Sequence, residues 1–436
     1  MNSATPAGIA TSRRPEKYRF YPGWTMLGIA ALANYMSAPG QSHSVAAFKE
    51  PMRESLGITE TNYSLAYGIG TLISGLLLPI TGRLLDRFGA RRVLPVVGLL
   101  LGAGCLMMSQ ATNLQGVIIG FSLIRILGQG ALCLAAMWLV GEWFEQRRGF
   151  ATAIAGLGGS ISVMCFPLIN GYLISHYNWQ TAWAVLGIGV WVTVTVPSLL
   201  LVRDRPEELG LSPDGFDSQP ARSKPAPSSE TTNSSVLEGW ETRDVLRDVN
   251  FWKLLSIPVT SGLVGTGLVF HQVSLLGSHD VSVHWALGLL SLQALMSTLA
   301  ALGSGWLADR WECRYLLCVA MVFLALAVAL VIALPWFYLV ILYAVLLGLH
   351  GSVLRSAGMI VWMTYYGRRN QGTIRGCAVA MMIFGAALGP LPLALSIDYF
   401  GSYSPALYIF LIMPITAAVL TATVSQPHSQ PVTEVR

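Results

Sequence analysis

Twelve apolar stretches, each close to twenty residues long or longer, constrain the fold of this chain more than any other feature. A helix needs about 20 apolar residues to cross the hydrocarbon core of a bilayer. A membrane β-barrel would instead alternate apolar and polar residues, which these stretches do not do. The predicted spans are 23–48, 62–82, 92–111, 114–141, 150–175, 180–202, 251–277, 284–307, 315–334, 336–360, 374–397 and 404–424. We therefore expect an all-α, polytopic membrane protein.

The distribution of positive charge predicts the topology. Of the 27 Lys and Arg residues, Lys49 and Arg53 fall in predicted external loops, and Arg125 and Arg355 fall inside helices. All others lie in segments that are cytoplasmic if the N-terminus is cytoplasmic. Because Lys and Arg are retained on the cytoplasmic side, both termini are expected there. The first twenty residues lack the apolar core of a signal peptide, so the first helix is expected to direct insertion. The net charge of +5 thus indicates topology and not a nucleic-acid partner.

A long polar segment divides the apolar stretches into two sets of six. Residues 203–250 are rich in Pro, Ser and acidic residues, a composition typical of a flexible linker. The predicted organisation is an N-terminal tail, a six-helix bundle, a cytoplasmic linker, a second six-helix bundle and a C-terminal tail, at residues 1–22, 23–202, 203–250, 251–424 and 425–436 respectively.

Two similar strings occupy matching places in the two halves. "GRLLDRFGARR" at 82–92 and "GWLADRWECR" at 305–314 each follow the second helix of their half. Repetition at the same topological position indicates an internal repeat. The shared or motif positions are Gly82, Asp86, Arg87, Gly89 and Arg91 in the first half, and Gly305, Asp309, Arg310 and Arg314 in the second. Gly82 and Gly89 would permit a tight turn, whereas Glu312 stands where the second copy would have a glycine.

The pattern G-x-x-x-D-R-x-G-x-R-R after the second of twelve helices resembles the major facilitator superfamily. "PGQSHSVAAF", "WFEQRRGFATAIAGLGGS", "RDRPEELGLSPDG" and "YYGRRNQGTIRG" resemble its oxalate/formate antiporter and monocarboxylate carrier branch. The resemblance implies the major facilitator fold, with twelve transmembrane helices in two pseudo-symmetric six-helix bundles. It also implies secondary transport by alternating access of one site to the two sides.

The resemblance gives the repeated motif a further role. It implies that Asp86 meets the start of the eleventh helix near Thr373, and that Asp309 meets the start of the fifth near Gly149. An anion is stabilised at a helix N-terminus, so both contacts would latch the cytoplasmic side. The alternative is that these charges only fix the topology.

Polar residues inside the apolar helices are the candidate substrate ligands, because intramembrane charge is costly and usually functional. Arg125 lies near the midplane of the fourth helix and shares a face with Gln129. Arg355 lies in the tenth helix, where substrate contact and structural packing are equal alternatives. Each lone histidine can be a packing residue or a titratable ligand. The full candidate set is Arg125, Gln129, Arg355, His271, His350, Gln41, His43 and Asn34.

The balance of buried charge predicts the substrate class. Two intramembrane arginines without an acidic residue deep in a helix favour a small organic anion, a mono- or dicarboxylate, moved by proton symport or anion exchange. The alternatives are an exporter of a neutral or amphipathic compound, or a non-transporting membrane sensor. Catalytic, nucleotide-binding and metal-binding motifs do not occur, so neither an enzyme, ATP, a cofactor nor a metal is expected. We expect a monomer in a bacterial inner membrane or a plasma membrane.

Overall fold

The computed structural model describes residues 21–215, 240–308, 310–333, 337–367 and 371–425. Its main helices are α1 Gly23–Tyr35, α2 Glu60–Phe88, α3 Ala90–Ser109, α4 Leu114–Trp143, α5 Arg148–His176, α6 Trp179–Leu201, α7 Val249–Gly277, α8 Val283–Ala308, α9 Cys313–Ile332, α10 Phe337–Tyr366, α11 Gln371–Leu388 with its continuation Pro390–Phe400, and α12 Ser404–Ala422.

Eleven helices of the described chain, α2 to α12, are long and apolar enough to cross a membrane. Several of these helices have a short polar N-cap residue whose side chain accepts a hydrogen bond from a backbone N–H of the first turn. The capping residues are Thr59 for α2, Asn113 for α4, Asn178 for α6 and Asp248 for α7. The predicted spans of α2–α12 therefore agree with the helices, and all but two of their bounds lie within three residues of the observed ones.

The prediction of one continuous helix over residues 23–48 is wrong. α1 has 13 residues and is followed by a 3₁₀ turn, Ala38–Gly40, and a short helix, Ser42–Val45. Pro39 interrupts helical hydrogen bonding. Gly40 then lies directly against α4, where a Cβ would collide with the Ile124 carbonyl and come within 2.6 Å of the Gln129 nitrogen. The break thus lets the backbone of the first membrane segment contact the backbone of α4.

Successive helices cross in opposite directions, so α1 begins and α12 ends on the same side of the bundle. We call this the terminal side, and the opposite side, which carries the helix Lys49–Leu56 between α1 and α2, the far side. Two apolar cores fill the protein: one from α1–α6 and one from α7–α12. Ala46 and Ala47 pack into the second core and Phe270 into the first. These exchanges occur on the far side, where the halves are joined.

Three helices contain a π-helical segment. These segments are Arg125–Leu132 in α4, Trp191–Thr195 in α6 and Ser261–Gly265 in α7. π-Bulges inside α-helices often mark functional sites. Here the α4 and α7 segments face each other across the interior of the protein.

The first residues of the predicted linker are folded against the first half. Residues 203–215 lie along its terminal side, where the Trp143 indole donates to the Arg203 carbonyl (3.1 Å). Asp214 accepts backbone N–H groups of Glu145, Gln146 and Arg147 at 2.7–3.1 Å. Partial desolvation opposes ionisation of Asp214, but these donors outweigh it and hold its pKa below the ordinary value. Residues 216–239 lie outside the described part of the chain.

The motif 82–92 is mostly helical and not a loop. α2 continues to Phe88, and α3 begins at Ala90. Gly89 alone turns the chain, at φ 75°, and the Asp204 carboxylate fills the space that a Cβ would need. A glycine is therefore required there, whereas no other group crowds Gly82 or Gly305. Glu312, the residue before α9, has φ −59° and is itself not left-handed.

Candidate functional site

A central cavity of about 430 Å³ lies between the two halves. It adjoins a second cavity of about 870 Å³, and the two share five lining residues: Val163, Gln293, Leu347, Gly351 and Arg355. The first is lined by polar groups from both halves. The second is lined mainly by small and apolar residues of α5, α8 and α10. Together they form a space large enough for a small organic molecule.

The cavity extends toward the terminal side and is closed on the far side. The larger cavity reaches Ala153, one turn from the terminal end of α5, and Ala301, near the terminal end of α8. On the far side, the Thr61 N–H of α2 donates to the Asp398 carboxylate of α11 (2.8 Å). The halves therefore meet on the far side and separate toward the terminal side, which is the arrangement of an inward-open carrier if the terminal side is cytoplasmic.

The structure brings five of the eight predicted ligands together. Those lining the central cavity are Gln41, His43, Gln129, His350 and Arg355. Sequence analysis did not single out Ser261, Gln293 or Thr71, which also line it. Unlike Gln41 and Gln129, these three side chains do not stand within four residues of an intramembrane arginine or histidine in the sequence, so no pattern marked them.

Arg355 is the permanent cation of this space. Its guanidinium lines both cavities and donates from Nη2 to Ser297 Oγ (2.5 Å). Among the described residues that line the cavities, none is a carboxylate. The cation is thus held by a neutral hydroxyl and keeps donors available to an anion. An arginine can bind a carboxylate through two parallel hydrogen bonds.

His350 is fixed in one orientation at the cavity wall. Its Nδ1 lies 2.8 Å from the Ala320 carbonyl, so this nitrogen carries a hydrogen. Its Nε2 lies 2.9 Å from Ser261 Oγ in the π-helical segment of α7 and can accept from that hydroxyl. A neutral imidazole satisfies both contacts. His43, across the cavity, has a buried Nε2 with no protein partner among the described residues.

Arg125, predicted as a substrate ligand, lies behind the cavity wall. It is fully buried, donates from Nη1 to the Gly40 carbonyl (2.8 Å) and stacks over the Tyr67 ring at 4.5 Å. It therefore ties the α1 break to the π-helical segment of α4. In the described structure, its Nε and Nη2 have no hydrogen-bond partner. In this conformation Arg125 supports the wall and does not line the cavity.

Asn34 and His271 also lie outside the cavity lining. Asn34 donates to the Ala155 carbonyl (3.0 Å) and joins α1 to α5. His271 is fully buried on the far side, with Nε2 2.9 Å from the Pro390 carbonyl. Both side chains join helices to each other.

A buried ion cluster on the far side was missed by sequence analysis. Lys49 is 1% exposed, and its Nζ lies 2.9 Å from Glu60 Oε2. The same Nζ contacts His271 Nδ1 (2.9 Å) and Ser274 Oγ (2.5 Å) of α7. Lys49 and Glu60 belong to the first half, and His271 and Ser274 to the second. The cluster therefore joins the halves where the cavity is closed.

The rim of this cluster carries further charge. Glu50 lies 3.2 Å from Lys49 and 2.9 Å from Arg53. Burial opposes ionisation of Glu50, but the Lys49 ammonium and the Arg53 guanidinium outweigh it and hold its pKa below the ordinary value. Sequence analysis placed Lys49 and Arg53 in external loops and extended the first helix to residue 48. The available signal was Pro39-Gly40, which ends the first helix early.

The predicted latch contacts are not formed among the described residues. Asp86 accepts a hydrogen bond from the Trp138 indole of its own half (3.2 Å). Asp309 lies outside the described residues. Arg87 stacks on Phe88 and Arg310 on Trp306, at 5.2 and 3.9 Å. Arg314 forms an ion pair with Glu312. The backbone N–H of Arg91 donates to the Asp204 carboxylate. Gly82 and Gly305 lie within helices. The latch remains a prediction for the arrangement in which the terminal side is closed.

Several curated transporters are similar to parts of this sequence. Human monocarboxylate transporter 14 is 29% identical over 190 residues, 44% of this chain and 36% of that protein. Mouse monocarboxylate transporter 9 is 25% identical over 169 residues, 38% of this chain and 32% of that protein. The MFS-type transporter opdF of Penicillium oxalicum (strain 114-2 / CGMCC 5302) is 27% identical over 133 residues, 29% of this chain and 31% of that protein. The matches span about a third of the length of these curated relatives.

Solved structures share the fold over nearly the whole chain. The nucleoside transporter NupG superposes with a TM-score of 0.68 at 12% identity, covering 91% of this chain and 97% of that one. A bacterial homologue of the human lysosomal transporter Spinster, in an inward-facing and unoccupied conformation, gives 0.65 at 14% identity, covering 92% and 94%. At such identities the likeness establishes the fold alone.

The family assignment rests on both halves of the sequence. The profile of the Major Facilitator Superfamily matches residues 24–286 and 271–435. Eleven helices of the described chain can span a membrane, so the protein is an integral multi-pass membrane protein, and the relatives that it matches are named as transporters. The chain, with its two six-helix halves around a central cavity, belongs to the Major Facilitator Superfamily.

Proposed function

We propose that this protein carries a small organic anion, a mono- or dicarboxylate, by alternating access of the central cavity to the two sides of the membrane. The single observation that supports the proposal most is Arg355, a cation on the cavity wall held by a serine and not by a carboxylate. A carboxylate substrate would supply the missing counter-charge through a bidentate contact. The monocarboxylate transporters among the relatives are in accord with this class.

The neutral ligands around Arg355 fit the remainder of such a substrate. Gln41, Gln129 and Gln293 offer amide groups, and Ser261 and His350 a hydroxyl and an imidazole, on several sides of the cavity. The groups come from both halves, so a bound substrate would contact both. Its binding can then favour one arrangement of the halves over another, which is what alternating access requires.

The cluster of Lys49, Glu60 and His271 is the proposed far-side gate. Its ion pair and hydrogen bonds hold the halves together on that side, and their release would open the cavity there. We propose that the terminal side is cytoplasmic, because the exposed arginines of both halves lie there. If a proton enters the gate with the substrate, the protein is a symporter. If one anion exchanges for another, it is an antiporter.

An exporter of a neutral or amphipathic compound is the second candidate. The observation that favours it is the larger cavity, whose lining includes Ala153, Leu157, Ala294, Ala301 and Leu347. Such a surface suits an apolar substrate better than a hydrated anion.

Counterflow in proteoliposomes tests the proposal. Vesicles loaded with unlabelled lactate, pyruvate, oxalate, formate or succinate are given the labelled compound, with wild type compared with Arg355→Gln and Arg355→Lys. We expect one anion to accumulate, the Gln variant to lose this, and the Lys variant to retain part of it. Arg243→Gln, a change at an exposed arginine away from the cavity, is the matched control. Accumulation that is equal in wild type and Arg355→Gln would contradict the proposal.

A further inference from the structure

A second pocket, remote from the central cavity, lies on the outer surface of the first half. It is a groove of about 420 Å³ between the terminal halves of α2 and α3, with the π-helical segment of α4 as its floor. Its walls are apolar and include Leu77, Leu84, Val96 and Leu100. Leu84, Val96 and Leu100 are 42%, 53% and 49% exposed. No described part of the chain covers these side chains.

The groove has the depth of one bilayer leaflet. It runs along α2 from Phe88, at the terminal side, to Leu77. Eleven residues of helix correspond to roughly 16 Å. Half of the hydrocarbon core of a bilayer is about 15 Å. A phospholipid acyl chain placed in the groove would thus extend from the membrane surface to the midplane.

Positive charge stands at the surface end of the groove. Arg92 is part of the groove wall, and Arg83 and Arg91 are exposed nearby. The neighbouring acids already have partners: Asp86 accepts from Trp138 and Asp204 from the Arg91 backbone. The four exposed arginines of this segment, Arg83, Arg87, Arg91 and Arg92, outnumber these two acids, so the end of the groove keeps a net positive charge at the depth of the lipid headgroups.

We propose that this groove binds an anionic phospholipid, with one acyl chain between α2 and α3 and the headgroup phosphate on Arg92. The arginines near the surface favour an anionic over a zwitterionic headgroup, because each basic residue there adds attraction to anionic lipid. Bound lipid would contact α2 and α3 on both sides of the Gly89 turn. The site would then couple the lipid composition of one leaflet to the position of the motif 82–92.

Native mass spectrometry of the purified, delipidated full chain tests the proposal. Dioleoyl-phosphatidylglycerol and dioleoyl-phosphatidylcholine are titrated against wild type, Arg92→Gln and Val96→Trp, which fills the groove but keeps the arginine. Arg243→Gln, an exposed arginine on the terminal side of the second half, is the matched control. We expect wild type and Arg243→Gln to bind one phosphatidylglycerol preferentially. Arg92→Gln should bind it about tenfold more weakly, the effect of losing one charge-assisted hydrogen bond, and Val96→Trp should lose it.

Three outcomes would overturn the proposal. The first is unchanged phosphatidylglycerol binding by both Arg92→Gln and Val96→Trp. The second is that wild type binds phosphatidylcholine as strongly as phosphatidylglycerol, which would mean that the groove binds any acyl chain without selecting the headgroup. The third is a lipid-free species of two chains, which would assign the groove to a second copy of the protein. A thermal unfolding curve for each variant separates lost lipid binding from lost folding.

Discussion

Replacement of Lys49 by methionine is predicted to open the far side of the protein. Lys49 is 1% exposed and Glu60 7% exposed, so Lys49→Met leaves a carboxylate buried without its principal partner. Removing one partner of a buried ion pair costs about 3–5 kcal/mol. Arg53 Nε, 3.7 Å from Glu60 Oε1, compensates in part, so we take about 3 kcal/mol, the lower end of that range. Glu60 is hydrated again when the halves separate. Lys49→Met therefore raises the free energy of the state with the far side closed, but not of the state with the far side open.

A cost of about 3 kcal/mol shifts the equilibrium between closed and open far side by roughly 150-fold. Spin labels at Ser55 and Ser278, exposed far-side positions in the two halves, would report the shift by double electron–electron resonance in a cysteine-free background. We expect a longer distance in Lys49→Met. Adding Glu60→Gln removes the orphaned charge, so the double variant should return to within about 1 kcal/mol of wild type. Arg53→Gln, at the partly exposed rim, should change little.

Two results would refute this reasoning. An unchanged distance distribution in Lys49→Met would mean that the buried ion pair does not hold the far side closed. A double variant no closer to wild type than Lys49→Met would mean that the effect arises from lost packing or folding and not from an unpaired charge.

Three further predictions concern the first half. Arg125→Gln should lower the free energy of unfolding by about 2–3 kcal/mol, because it loses the hydrogen bond to the Gly40 carbonyl and the stacking on Tyr67. A melting temperature equal to that of wild type would show that Arg125 does not support the cavity wall. Gly40→Ala should cost about 1–3 kcal/mol through the clash with α4, and an unchanged denaturation midpoint in detergent would contradict the tight packing. Asp214→Asn should cost about 1–3 kcal/mol at pH 7, because Asp214 accepts three backbone N–H groups. Since the pKa of Asp214 is depressed, its stabilisation is complete above the ordinary pKa of about 3.9 and is lost as pH falls through the lower folded value. The melting-temperature gap between wild type and Asp214→Asn should therefore persist from pH 7 to about pH 4 and narrow below it; a gap that narrows already near pH 6 would contradict this assignment.

The fold could be predicted from sequence because length and hydropathy determine it almost residue by residue. The spans of α2–α12 follow from uniform apolar runs, and the repeated motif at 82–92 and 305–314 identifies the two halves. The break in α1 was missed because hydropathy does not register a helix interruption. The contacts of Lys49 and Glu60 with α7 were missed because the packing of the segment between α1 and α2 against the second half is tertiary information.

The cavity was only partly predictable. An intramembrane arginine is visible in a sequence, but the direction in which it points is not. In the sequence, Arg125 and Arg355 are each a single arginine within an apolar helix. In the structure, Arg125 is enclosed by Gly40 and Tyr67, whereas Arg355 faces the cavity beside Ser297. The difference depends on how α1 packs against α4 and α8 against α10, which is tertiary information.

The central claim is that Arg355 binds the carboxylate of the substrate inside the cavity. Uptake of labelled lactate and of its neutral amide, lactamide, into proteoliposomes containing wild type or Arg355→Gln tests this claim most directly; if another acid proves to be the substrate, the pair is that acid and its amide. We expect wild type to select the acid over the amide, and Arg355→Gln to lose this selection while remaining folded. Equal uptake of acid and amide by wild type, or an acid preference that survives in Arg355→Gln, would contradict it.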